Sequence, residues 1–119
     1  MADKRPLVGI SVGDPAGIGP EITARALDLR EIYEICRPLA VSDLEVMREA
    51  IRFSGLSLET NAVAKPAEGK YEHGTVDVLD MDNVNMDELQ YKKVAAMSGK
   101  ASYEYIEKVI RLAMAGEID

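Results

Sequence analysis

The chain has 119 residues and a mass of 13.0 kDa, the size of one domain near the lower end of where a single core fills out. Acidic residues outnumber basic ones 21 to 14, a formal net charge of −7, which argues against non-specific nucleic-acid binding, since that needs Lys and Arg to displace counterions from phosphates. One cysteine, Cys36, excludes an internal disulfide and fits a reducing compartment, and one histidine, His73, excludes a metal site built from several histidines of these residues.

Pro6 to Val12, PLVGISV, is a short apolar and β-branched run that reads as a buried strand. It is too short to span a bilayer, and the mixed charges of Met1 to Arg5 do not make a secretory signal, so a cytoplasmic protein without a membrane partner is expected. The turn GDPAGIGPE, Gly13 to Glu21, leads into an amphipathic helix over Ile22 to Leu29. Pro20 suits the first helical position, where its missing N–H costs nothing, and Glu21 complements the positive end of the helix dipole.

Arg37 to Val41 reads as a second strand. Ser42-Asp43-Leu44-Glu45 matches a capping box with Ser42 as the cap, and the following helix should bury Leu44, Met47, Ile51 and Phe53 and stop at Gly55. Leu56 to Ala64 alternates as a third strand, Lys65 to Gly74 reads as a loop or irregular hairpin, and Thr75 to Leu79 as another strand. The acidic stretch Asp80 to Tyr91 fits no single element, and Asp77, Asp80, Asp82, Asp87 and Glu88 read as a solvated strand end and turn, because the spacing of a calcium loop is absent. Lys92-Lys93 is too small a patch for nucleic acid. Gly99 to Ala115 predicts a long helix with Ala101, Tyr105, Ile106, Val109, Leu112 and Ala113 on its apolar face, Tyr103 and Tyr105 on opposite sides, and Gly116 as its stop. Strands alternating with helices predict an α/β fold with a parallel or mixed sheet flanked by helices. Glu117-Ile118-Asp119 reads as the beginning of a further strand, so the chain is expected to be a fragment of a longer protein.

The chemistry lies in Gly13 to Glu21. Strand, glycine-rich turn and helix start together place backbone N–H groups and a helix dipole where a phosphate or carboxylate could sit. Gly17 and Gly19 would permit close backbone approach, and Asp14 could accept hydrogen bonds from a ribose or from its own loop, or face a metal. The dinucleotide fingerprint fails, because Ile22 stands where its last Gly or Ala belongs, and no Gly-Lys-Ser/Thr completes a P-loop. A ligand loop and a purely structural tight turn tied by Asp14 are both open readings. His73 reads as an exposed loop residue, Cys36 as an inert buried thiol, and the methionines as core or interface fillers.

ISVGDPAGIGPEI, Ile10 to Ile22, resembles the opening signature of the 4-hydroxythreonine-4-phosphate dehydrogenase family. The likeness runs through CRPLAVSDLEVM, Cys36 to Met47, and SGKASYEYIEKVIRLAMAGEID, Ser98 to Asp119, and covers the chain from Pro6 onward. A shorter relative of the first motif opens the isocitrate and isopropylmalate dehydrogenases, whose fold this family is similar to. The resemblance implies that residues 1–119 are the amino-terminal part of a two-domain α/β dehydrogenase that works as a homodimer, with its site in the interdomain cleft.

The implied reaction is NAD-dependent oxidation, with decarboxylation, of 4-phosphohydroxy-L-threonine on the route to pyridoxal phosphate. A divalent metal (zinc, magnesium or cobalt) held by histidines would polarise the alcohol. A related branch oxidises D-threonate or D-erythronate 4-phosphate, and Gly74 to Val94 leans toward it. The family's metal histidines and main substrate contacts come from sequence beyond Asp119, and His73 matches none of them. The resemblance therefore carries over only Gly13, Asp14, Gly17 and Gly19, as a wall of the cofactor side of the cleft, with no catalytic residue and no metal ligand in these residues; Ser98, Gly99 and Lys100 could also face the cleft. These residues alone are expected to show no turnover. The alternative from another class is a stand-alone anion- or nucleotide-binding or oligomerisation module.

Overall fold

The computed structural model describes residues 3–89 and 95–119; Lys92-Lys93 and the end of the Gly74 to Val94 segment lie outside the described residues. Four strands, β1 (Leu7–Ser11), β2 (Arg37–Ser42), β3 (Glu59–Val63) and β4 (Thr75–Asp80), form one sheet in the order β1-β2-β4-β3. Every pairing in it is parallel, so the connection from 64 to 74 is a crossover and not a hairpin. The helices are α1 (Gly19–Leu27), α2 (Arg30–Ile35), α3 (Leu44–Phe53) and α4 (Ala96–Met114). The expected α/β class holds, and the sheet is parallel rather than mixed.

Side chains alternate across each strand and build two cores. On one face Val12, Ala40, Val76 and Val78 pack against α1, α2 and α3 through Ala24, Leu27, Tyr33, Met47 and Ile51. On the other, Leu7, Leu39, Val41, Val63 and Leu79 pack against Tyr71 and against α4 through Ala101, Tyr105 and Leu112. Each fully buried aliphatic side chain stabilises the fold by about 1.5–3 kcal/mol, and this two-sided burial explains the consecutive apolar residues of β2, Leu39 to Val41, while β4 is interrupted only by the buried Asp77.

The faces follow from topology. The chain steps outward from β1 through β2 to β3 with its helices on one face. It then returns through β4 with its connections on the other face. Reversing direction and changing face together keep one crossover hand throughout, as parallel sheets require.

Several local expectations are corrected. The cap of α3 is Asp43, not Ser42: the Asp43 carboxylate accepts from the N–H groups of Glu45 at 2.9 Å and Val46 at 3.2 Å, while Ser42 is still in β2. Phe53 ends α3 at 69% exposure, and Val46 takes the inward position instead. On α4, Ile106 and Ala113 turn outward; Tyr103 and Tyr105 do lie on opposite sides. Asp77 is not solvated but fully buried. Its carboxylate accepts from Asn61 Nδ2, Lys70 N and Tyr71 N at 2.8–2.9 Å, so it holds the 64–74 crossover against the sheet.

Candidate functional site

The strand ends of a parallel sheet are where α/β proteins place ligands, and the Gly13 to Glu21 loop lies there. Gly13 turns the chain out of β1 with φ +92°, a left-handed conformation that side chains resist. The Asp14 carboxylate accepts from Ala16 N at 2.8 Å, and its carbonyl accepts from Gly17 N at 2.9 Å, which closes the turn. Pro15 and Ala16 are buried beneath it, while Gly17 and Ile18 are exposed. At Gly19 the first turn of α1 comes to rest on the end of β1, so close that a Cβ there would collide with the Val12 carbonyl oxygen. The N-terminus of α1 has no side-chain cap, because Ile18 occupies the cap position and Pro20 follows. The positive end of the helix dipole is thus left to solvent or to a ligand, tempered by Glu21.

Between this loop and α3 runs a cavity of about 470 Å³, walled by Pro15, Ile18, Pro20, Val46, Ala50 and Phe53. Among the described residues that line it, the charged one is Glu21, paired with Arg25 at 3.0 Å on the surface, where the pair adds little stability. The cavity is large enough for one flat heterocycle. An exposed, uncapped helix start beside an apolar slot fits one wall of a dinucleotide site, so the loop residues are compatible with NAD. The same loop meets the structural reading for Asp14, one of whose oxygens is committed to the turn.

The neighbouring strand ends are closed by two further carboxylates, Asp80, which ends β4 as the strand-end reading expects, and Asp43, which takes the capping role expected of Ser42. Asp43 also accepts from Val84 N at 3.2 Å, and Asp80 accepts from Leu44 N at 2.9 Å and Asp82 N at 3.0 Å. The signal for Asp43 was present, since Asp caps a helix as well as Ser does; the sequence marks Asp80 as a strand end but not its long-range bond to Leu44 N. Behind them Tyr105 donates to Asn83 Oδ1 at 2.9 Å, and burial pushes its phenol well above the ordinary tyrosine range.

Of the other candidates, Ser98 is fully buried in the first turn of α4, whereas Gly99 and Lys100 are exposed. His73 is half-buried, hydrogen-bonded through Nε2 to the Asp28 carbonyl at 2.6 Å and edge-on to Tyr33, a packing role far from the loop. Cys36 is a half-buried free thiol that donates to the Ile32 carbonyl at 3.4 Å. Among the described residues no group of three or more His, Cys, Asp or Glu could hold a metal ion, so these residues do not fit the implied metal centre. Among them, too, no helix is long and apolar enough to cross a membrane.

The model of the family described as pyridoxal phosphate biosynthetic protein PdxA matches residues 34–119. A Symbiobacterium thermophilum protein provisionally named D-threonate 4-phosphate dehydrogenase is 52% identical over 117 residues, 98% of this chain and 35% of that protein. A Clostridium botulinum protein with the same provisional name is 42% identical over 100% of this chain and 36% of its own length. The crystal structure of a 4-hydroxythreonine-4-phosphate dehydrogenase from Burkholderia phymatum superimposes with a TM-score of 0.94 at 32% identity, over 98% of this chain and 35% of that one. The chain thus spans about a third of the length of the curated relatives it matches.

Proposed function

Because the chain belongs to the PdxA family of pyridoxal phosphate biosynthetic proteins, we propose that residues 1–119 form the amino-terminal part of a two-domain, homodimeric, cytoplasmic dehydrogenase. It oxidises a phosphorylated hydroxy acid with NAD, which when bound accepts the hydride leaving the alcohol carbon. Within this reading Gly13, Asp14, Gly17 and Gly19 shape one wall of the cofactor site. Gly13 and Asp14 fix the turn. Gly19 lets α1 start directly on the end of β1. The exposed turn at Gly17 and Ile18 then leaves the helix start open to an anionic group, the Gly17 N–H itself being donated to the Asp14 carbonyl. The catalytic acid–base groups and the metal ligands lie in the remainder of the longer polypeptide.

The observation that carries the cofactor wall is the uncapped start of α1, held at the strand ends by the Gly19 contact with Val12. For the substrate, identities of 52% and 42% to proteins named for D-threonate 4-phosphate, against 32% to the Burkholderia enzyme named for 4-hydroxythreonine-4-phosphate, support the D-threonate branch. The second reading is 4-phosphohydroxy-L-threonine, with a role on the route to pyridoxal phosphate, favoured by the family to which the chain belongs.

The test is an assay of the polypeptide of the relatives' length that carries these residues, with NAD, a divalent metal and each substrate in turn. NADH formation with a higher kcat/KM for D-threonate 4-phosphate is expected. A higher value for 4-phosphohydroxy-L-threonine would move the protein to the second branch, and no NADH with either would end the dehydrogenase reading.

A further inference from the structure

On the side away from β1 the sheet ends at β3, which pairs with β4 alone among the described residues. Glu59 N donates to Gly74 O at 3.0 Å, so Glu59, Asn61 and Val63 direct their backbone groups at β4. Thr60, Ala62 and Ala64 therefore direct theirs outward. On the α3 side this edge borders an open groove of about 390 Å³, lined by Arg48, Ile51, Leu58, Glu59 and Thr60. A row of outward N–H and C=O groups is a template for a further strand.

One of the outward donors is taken. Glu68 ends the short turn Pro66–Glu68 that follows β3, and one oxygen of its carboxylate accepts from Ala64 N at 2.8 Å and Lys65 N at 3.0 Å. These two N–H groups, with Lys65 nearby, hold the carboxyl below its ordinary range, so the contact is made by an anion at neutral pH.

We propose that Glu68 guards the outer edge of β3: its carboxylate withholds Ala64 N from a second copy of this chain, whose own β3 would otherwise add to the edge. The occupant follows from the edge itself. Two identical edges meet about a two-fold axis, which makes the strands antiparallel. Pairing about Ala62 sets that residue opposite itself, with N–H and C=O directed outward in both copies, and sets Thr60 opposite Ala64 and Glu59 opposite Lys65. Charged side chains ordinarily keep edge strands apart, but in this register Glu59 and Lys65 attract across the pair. Ala62 and Ala64 are exposed and small, so their side chains leave room for a second backbone. The obstacle is the donor: the Thr60 carbonyl of one copy needs Ala64 N of the other, and Glu68 holds it. The same carboxylate draws on the Lys65 ammonium, which the second copy's Glu59 would otherwise meet. The edge lies at the opposite end of the sheet from β1 and the Gly13 to Glu21 loop, so the inference stands apart from the dehydrogenase reading.

Sedimentation velocity on the polypeptide of the relatives' length tests this, whatever mass the parent shows. Glu68→Ala should form a species of twice the parent's mass at micromolar concentration, and the amides of Thr60 and Ala62 should exchange at least about tenfold more slowly as it forms. Asn61 and Val63, bonded to β4, should stay protected in parent and variant. Glu68→Gln keeps an acceptor for Ala64 N and should retain the parent's mass. Adding Ala62→Pro to Glu68→Ala removes an outward N–H without touching the β4 ladder and should restore the parent's mass. A Glu68→Ala protein that keeps the parent's mass would overturn the proposal. So would association that survives Ala62→Pro, association that leaves exchange at Thr60 and Ala62 unchanged, or a Glu68→Gln protein that associates as the alanine variant does. Loss of protection at Asn61 and Val63 in Glu68→Ala would overturn it as well, because Glu68 would then hold the end of the strand and not shield its edge.

Discussion

Gly19 and the Val12 carbonyl are packed so tightly that only a residue without a side chain lets α1 begin where it does. At Gly13, six residues earlier, a Cβ would meet nothing within 4 Å, and only the backbone angle of +92° opposes a side chain. The two glycines are therefore needed for different reasons, and the same substitution separates them. Gly13→Ala should cost about 1–2 kcal/mol of backbone strain. Gly19→Ala has to push α1 off the end of β1 and should cost more, about 2–4 kcal/mol, by analogy with overpacked cores. Urea unfolding of both variants checks the order; equal midpoints would show that the collision at Gly19 relaxes without cost.

Asp77 is a buried carboxylate held entirely by N–H donors, two of them from the backbone of the 64–74 crossover. Asp77→Ala leaves the N–H groups of Lys70 and Tyr71 and the Asn61 amide without their acceptor, an expected loss of about 3–5 kcal/mol. Asp77→Asn keeps the shape and one acceptor oxygen and should lose less. The pair of variants, compared by urea midpoint, distinguishes a hydrogen-bonding role from simple packing, which would penalise only the alanine.

Gly17 is exposed at the tip of the first loop, and a Cβ there would lie 3.4 Å from the Asp14 carbonyl oxygen, a contact small shifts can absorb. In the polypeptide of the relatives' length, Gly17→Asp places a carboxylate at the uncapped start of α1, where it competes for the helix dipole and repels an anionic cofactor. The KM for NAD should rise about tenfold with kcat little changed, the pattern of lost binding that is equal in ground and transition states. An unchanged KM would remove the loop from the cofactor site.

The strands and the long helices were legible because their signals are local. Apolar runs fall at β1, β2 and β4, Pro20 and Glu21 mark the start of α1, and Gly55 and Gly116, both with positive φ, end α3 and α4 as expected. The six residues of α2 escaped because they are too short to show a period. What failed most clearly was Asp77. It groups in sequence with the acidic residues from Asp80 onward, and the residues that satisfy it come from the neighbouring strand, Asn61, and from a crossover in which Tyr71 adopts a left-handed φ of 53°. Phe53 and Ile106 failed for a related reason. A helical period shows that a face is apolar but not which of two apolar faces meets the sheet, and α4 has Ala101, Tyr105 and Leu112 on one side and Tyr103, Ile106 and Ile110 on the other. In the candidate site, the glycine turn was visible in the motif, whereas the closure of the strand ends by Asp43 and Asp80 depends on Val84 and Leu44 arriving from other strands' loops.

The alkaline limit of the fold should be set by tyrosines. Burial pushes the phenols of Tyr33 and Tyr71 up to about 12 from an ordinary value near 10, with the Asp77 carboxylate adding to the shift, and pushes Tyr105 in the same direction. Their hydroxyls donate to carbonyl oxygens, Tyr33 to Thr75 at 3.2 Å and Tyr71 to Pro66 at 2.5 Å, so an ionised phenol there would lose its donor and face an acceptor. A phenol whose folded value lies above its unfolded one stabilises the fold fully below about pH 10, and that contribution declines as pH rises toward about 12. Urea midpoints should therefore fall steadily across this window, and the absorbance of tyrosinate should appear together with unfolding for the buried phenols. Tyr33→Phe should be less stable at neutral pH, by the lost bond to Thr75, yet lose less across the alkaline window than the parent chain. Asp77→Asn should narrow the window for Tyr33 and Tyr71 by removing the nearby negative charge. Midpoints that stay level to pH 12 in the parent chain would show that these phenols ionise inside the folded protein without penalty, contrary to their burial.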